Sequence, residues 1–71
     1  MEEYVIIIEK AGDNYAAMVP DLPGCIGAAD TIEELEELMR EAVEFHIEGM
    51  RLHGEGVPPP NTRVSKVRVA S

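Results

Sequence analysis

Apolar and polar positions divide the chain into several short apolar runs and one long amphipathic stretch. Tyr4-Val5-Ile6-Ile7-Ile8 is dense in β-branched residues and predicts a strand over about residues 4–9. Ala11-Gly12-Asp13-Asn14 supplies turn residues, so the chain is expected to fold back as a hairpin with a return strand over about 14–19. Pro20-Asp21-Leu22-Pro23-Gly24 then interrupts ladder pairing with two prolines and a glycine and predicts a shaped loop. A short third strand follows over about 25–28.

After Asp30 the spacing becomes helical. Thr31 is placed to cap a helix, and Glu34, three residues on, completes a capping box. Glu33, Glu34, Glu36 and Glu37 fall where the helix dipole favours negative charge, and Arg51 and His53 where it favours positive charge. Gly54 marks the stop, so the helix is expected over about 32–53. Gly56 to Asn61 reads as a stiff extended connector, and Arg63 to Val69 alternates loosely and predicts a last strand over about 63–69. The order β-β-β-α-β predicts a two-layer α+β fold with sheet order 3-2-1-4 and one helix on one face.

That architecture leaves apolar surface over. Tyr4, Ile6 and Ile8 oppose Val5 and Ile7 across the first strand, and Tyr15, Ala17 and Val19 oppose Ala16 and Met18 across the second. One helix covers one face, so a second copy or another partner is expected on the other, making the chain a homo-oligomer, dimer or tetramer. On the helix, Ile32, Leu35, Met39, Ala42, Val43, His46, Ile47 and Met50 form the stripe facing the sheet. Leu38, Phe45 and Leu52 form a second stripe beside Glu37, Glu41, Glu44 and Glu48. The segment Val57 to Pro60 is expected to fold over this stripe, or the stripe, with Val5 and Ile7, to form a contact seam for another chain, and the two need not exclude each other.

Charge narrows the partner. Fourteen acidic residues against six basic ones give a net charge of -8, which repels phosphate backbones and argues against direct nucleic-acid binding by this chain alone. A basic protein partner would be attracted. The 71 residues allow one domain, and the lone Cys25 excludes an intrachain disulfide. The start lacks a basic secretory signal, and the longest apolar run is too short to span a bilayer, so a cytoplasmic protein with no membrane contact is expected. No catalytic constellation, cofactor site or metal site is visible. His46 and His53 are seven apart rather than at the spacing of a helical metal pair, and Cys25 has no basic neighbour in sequence. A non-enzymatic protein is expected.

The segment Tyr15 to Cys25 (YAAMVPDLPGC), followed by Ala29 to Leu35, Glu41-Ala42 and Gly56-Val57-Pro58-Pro59-Pro60, resembles the HicB-like antitoxin domain over nearly the whole chain. The resemblance implies a reduced RNase H-like β-β-β-α-β fold. It also implies the antitoxin half of a HicAB toxin–antitoxin pair, which binds HicA, a small basic ribonuclease that cleaves mRNA, and blocks its active site. Contacts are then expected from Asp21, Leu22, Pro23 and Gly24 and from the acidic helix face around Glu37, Glu41 and Glu44. Family antitoxins also carry a C-terminal DNA-binding segment. This chain stops at Ser71, directly after the last expected strand, so a single domain over 1–71 without that segment is expected. Two other functions stay open. One is a stand-alone homo-oligomeric scaffold or ligand-binding module with no toxin. The other is a metal-dependent RNase H-like nuclease, for which Glu9 and Asp21 are the available carboxylates near strand ends.

Overall fold

Residues 2–70 are described by a computed structural model of the chain. The hairpin forms where the turn residues stand: β1 (Ile7–Ala11) pairs antiparallel with β2 (Asn14–Met18), from Ile7 opposite Met18 to Ala11 opposite Asn14. Gly12, first of the two loop residues, has φ +65°, a conformation that suits the strand twist and that a residue with a side chain rarely adopts. β3 (Ile26–Ala29) adds antiparallel to β2, giving a three-stranded sheet of order β1-β2-β3. The helix α1 (Ile32–Leu52) packs against β3 and β2. The described residues are therefore α+β, three antiparallel strands and one helix.

Both helix ends follow from sequence. The Thr31 hydroxyl accepts the Glu34 amide at 3.1 Å and donates to the Glu34 carboxylate at 3.0 Å. The capping box thus closes through the hydroxyl. At the other end Gly54 takes φ +71° and donates its amide to the Arg51 carbonyl, while the Glu55 amide reaches the Met50 carbonyl. This pair of bonds is the Schellman arrangement that a left-handed glycine permits. The His53 ring meets the Gly49 carbonyl through Nδ1 at 2.8 Å and covers a further helix-end acceptor.

The core is built from Ala17, Val19, Leu22, Cys25, Leu35 and Met39. Ala42, Val43, Ile47 and Met50 continue the helix stripe, partly buried against it. Ile32 lies at the start of that stripe but is exposed, and His46 sits half-buried at its edge. In mid-β3, a side chain on Gly27 would stand 2.9 Å from Met39 Sδ and 3.2 Å from a Leu38 methyl. The bare backbone there lets the helix approach the sheet closely.

Two stretches differ from the expected strands. Residues 4–6 lie outside the sheet, because β2 has no partner left for them. Past Met18, the Val19 amide turns to the Cys25 carbonyl at 3.1 Å. Residues 63–69 form no strand among the described residues, and each of them is exposed, including Val64, Val67 and Val69. Among the described residues the sheet thus has three strands where the order 3-2-1-4 has four, and the outer edge of β1 carries no strand. β3 begins one residue late, at Ile26, because Cys25 is spent closing the loop.

Candidate protein-binding surfaces

The loop after β2 is two successive turns. The Leu22 amide bonds the Val19 carbonyl at 3.1 Å, and the Cys25 amide bonds the Leu22 carbonyl at 3.0 Å. Each turn carries a proline at its second position, where a fixed φ near -65° fits, and Gly24 takes φ +88° at the third position of the second, as a type II turn requires. The double turn drives Leu22 into the core at 0 % exposure. Leu22 was expected at the contact surface and is instead buried; of that loop, Pro23 and Gly24 face solvent.

Asp21 is also engaged within the chain. Its Oδ2 accepts the amides of Asn61 and Thr62, both at 3.0 Å, and its Oδ1 accepts the Thr62 hydroxyl at 2.9 Å. These bonds, the two amides foremost, hold the carboxyl below the usual aspartate range. Nearby the Tyr4 hydroxyl donates to the Pro58 carbonyl at 2.6 Å, and burial, then the carboxylates of Glu2 and Asp21, push that phenol up. The connector is thus pinned at two points that sequence reasoning missed, because each contact spans 40 residues or more. A carboxyl with a depressed folded pKa stabilises fully above its unfolded value, near 3.9, and loses that contribution as pH falls through the folded one. Acidification is expected to release the Asn61 and Thr62 amides before the core unfolds, seen as lost hydrogen-exchange protection at those two positions first; Asp21→Asn is expected to weaken their protection already at neutral pH.

On the helix, Arg40 sits between Glu37 and Glu44, bonding the first through Nε at 3.4 Å and through Nη2, and the second through Nη1 at 3.0 Å. Its hydrogen bonds hold the Glu37 carboxyl down. Pairs this exposed contribute little to stability. Two of the three expected acidic contacts are therefore partly neutralised, while Glu41 lines an open acidic groove with Asp30, Glu33 and Glu34.

The apolar seam is open. Phe45 is 79 % and Leu52 80 % exposed, and Leu38 is partly so. Val57 to Pro60 do not cover them; that segment meets Tyr4 instead. On the sheet face away from the helix, Ile7, Met18 and Ile26 stand side by side in cross-strand register, Ile26 at 72 % exposure, with Ala16 and Ala28 next along. Val5 is half-buried outside the ladder.

Chemistry is sparse. No three of His, Cys, Asp and Glu gather to hold a metal among the described residues. Glu9 is exposed on β1, while Asp21 is committed to the connector. Burial pushes the Cys25 thiol up, away from the reactive thiolate. No helix among the described residues is long and apolar enough to cross a membrane.

Residues 4–70 match the family model described as HicB_like antitoxin of bacterial toxin-antitoxin system. The chain belongs to the HicB-like antitoxin family. Among relatives of this HicB-like chain, an uncharacterised 14.9 kDa protein of Haemophilus phage HP1 is 48% identical over 82% of the chain and 44% of its own length. The chain thus spans under half of that phage protein. A UPF0150 protein of Thermoplasma acidophilum is 37% identical over 83% of the chain and 87% of its own length. One from Synechocystis is 33% identical over 93% and 85%. No solved structure matches the chain significantly.

Proposed function

We propose that this chain is an antitoxin-type binding module that neutralises a small, basic, RNA-cleaving toxin of the HicA type by protein–protein contact. The observation that carries this reading is the outer side of α1, where an uncovered apolar seam runs beside a row of carboxylates. An exposed aromatic anchor with acidic neighbours suits a basic globular partner: the apolar centre supplies affinity and the carboxylates steer encounter. Family membership supports an antitoxin-type role. Co-expression with a small basic reading frame adjoining this gene is the test. The two chains are expected to co-purify, and the growth arrest caused by the toxin alone is expected to be relieved; a pair that neither co-purifies nor relieves arrest overturns the reading.

A second reading, a stand-alone homo-oligomeric scaffold, is favoured by the Ile7–Met18–Ile26 row on the open sheet face. A protein that stays monomeric at every concentration in light scattering rules it out.

A further inference from the structure

β3 forms one border of the sheet, and its backbone is left open there. The Val19 amide bonds the Cys25 carbonyl, and the backbone groups of an antiparallel strand turn alternately to one side and the other. Gly27 and Ala29 therefore face β2, while Ile26 and Ala28 turn their amides and carbonyls outward, where nothing among the described residues meets them. The strand reads Ile-Gly-Ala-Ala and carries neither the charge nor the proline that ordinarily guards an exposed edge. Along the same border a groove of about 790 Å³ runs between β3 and α1. Leu38 supplies its apolar floor, Glu33, Glu34, Glu37 and Glu41 line its helix side, and no lysine or arginine lines it. We propose that this edge and groove take an extended, basic segment of the partner protein as an added strand, paired through its backbone with Ile26 and Ala28.

This mode of docking rests on the antitoxin-type reading above and adds which kind of segment the partner inserts. Side chains of an added strand point alternately to the two faces of the sheet. Those on the helix side fall beside Glu37 and Glu41 and suit lysine or arginine, whose stems can lie along Leu38. Those on the other side fall beside Ile26 and Ala28 and suit valine or isoleucine, extending the open apolar row of Ile7, Met18 and Ile26. One segment of alternating basic and apolar residues thus matches both the carboxylates of the groove and the exposure of Ile26. A second copy approaching edge to edge would instead bring the same carboxylates against one another.

Hydrogen exchange on the full chain tests the proposal, with a capped synthetic peptide of alternating lysine and valine as the probe and one of alternating glutamate and valine as its control. In the free chain the Gly27 and Ala29 amides are expected to be protected and those of Ile26 and Ala28 to exchange freely. The basic peptide is expected to protect Ile26 and Ala28, and the acidic peptide to leave them unchanged. Ala28→Pro deletes an outward donor and leaves the β2 ladder its bonds, so the helical circular-dichroism signal is expected to hold while affinity for the basic peptide falls about tenfold. Glu41→Lys, on the exposed side of the helix, is expected to weaken the same peptide without touching the sheet. A basic peptide that leaves Ile26 and Ala28 exchanging freely, or that binds both variants as tightly as the native chain, overturns the proposal. Protection of those two amides in the free chain also overturns it, by assigning the edge to a second copy or to the chain's own residues 63–69. If the toxin co-purifies and the peptide does not bind, strand addition fails and the antitoxin reading stands. If the peptide binds and no adjoining basic chain co-purifies, that reading fails and the edge serves another basic partner.

Discussion

Leu22→Ala is expected to cost about 2–5 kcal/mol of stability, as deletion of a fully buried leucine does when the cavity cannot collapse. The position looks like loop in sequence, between two prolines, yet the side chain is completely buried. Collapse is restricted there because the two turns are held by their own backbone bonds and by prolines that cannot relax. A domain of this size has roughly 4–11 kcal/mol in total, so the loss is a large part of the whole. Urea denaturation checks it: the midpoint should fall steeply with the slope nearly unchanged. A change under about 1 kcal/mol would return Leu22 to the surface and to the list of contact residues. Pro23→Ala, one residue on and exposed, is the matched control: it gives up only the proline's restriction of the unfolded chain and should cost no more than about 1 kcal/mol.

If the proposed antitoxin role holds, Phe45→Asp is expected to weaken binding to the proposed toxin partner by about 30-fold, the equivalent of about 2 kcal/mol for an aromatic anchor removed from the centre of an interface. The substitution also adds a fifth carboxylate beside Glu37, Glu41, Glu44 and Glu48, so encounter with a basic partner should not slow and the loss should appear in the dissociation rate. Because Phe45 is almost wholly exposed, the melting temperature of the isolated chain should hold. Surface plasmon resonance with the purified toxin separates the two rates. Unchanged dissociation would move the contact elsewhere, to Glu41 and the acidic groove or to the open sheet face.

What the sequence made legible was local. Gly12-Asp13 closes the hairpin, Thr31 opens the helix and Gly54 ends it, each because the residue type satisfies backbone groups within a few positions of itself. The second apolar stripe of Leu38, Phe45 and Leu52 was legible for the same reason, since helical spacing alone places it to one side of the core. Long-range choices were not. Nothing near Asp21 in sequence announces that its carboxylate will take the amides of Asn61 and Thr62, so it was read as a contact residue. Leu22 was misread because a motif rich in proline and glycine signals a turn without saying which side chain the turn pushes inward. Residues 4–6 and 63–69 have strand composition, but a strand exists only where a neighbour accepts its hydrogen bonds. β2 bends away at Val19, so composition alone overstated both.

Cys25 gives the protein a built-in clock for its own opening. It is the only thiol in the chain, it is 4 % exposed, and it sits where the Val19–Cys25 bond closes the double turn. A thiol reagent can reach it only when that closure breaks, so the rate of modification counts openings of this corner of the core. Comparing that rate between the free chain and its complex would show whether a bound partner stiffens the body of the fold or merely occupies its surface.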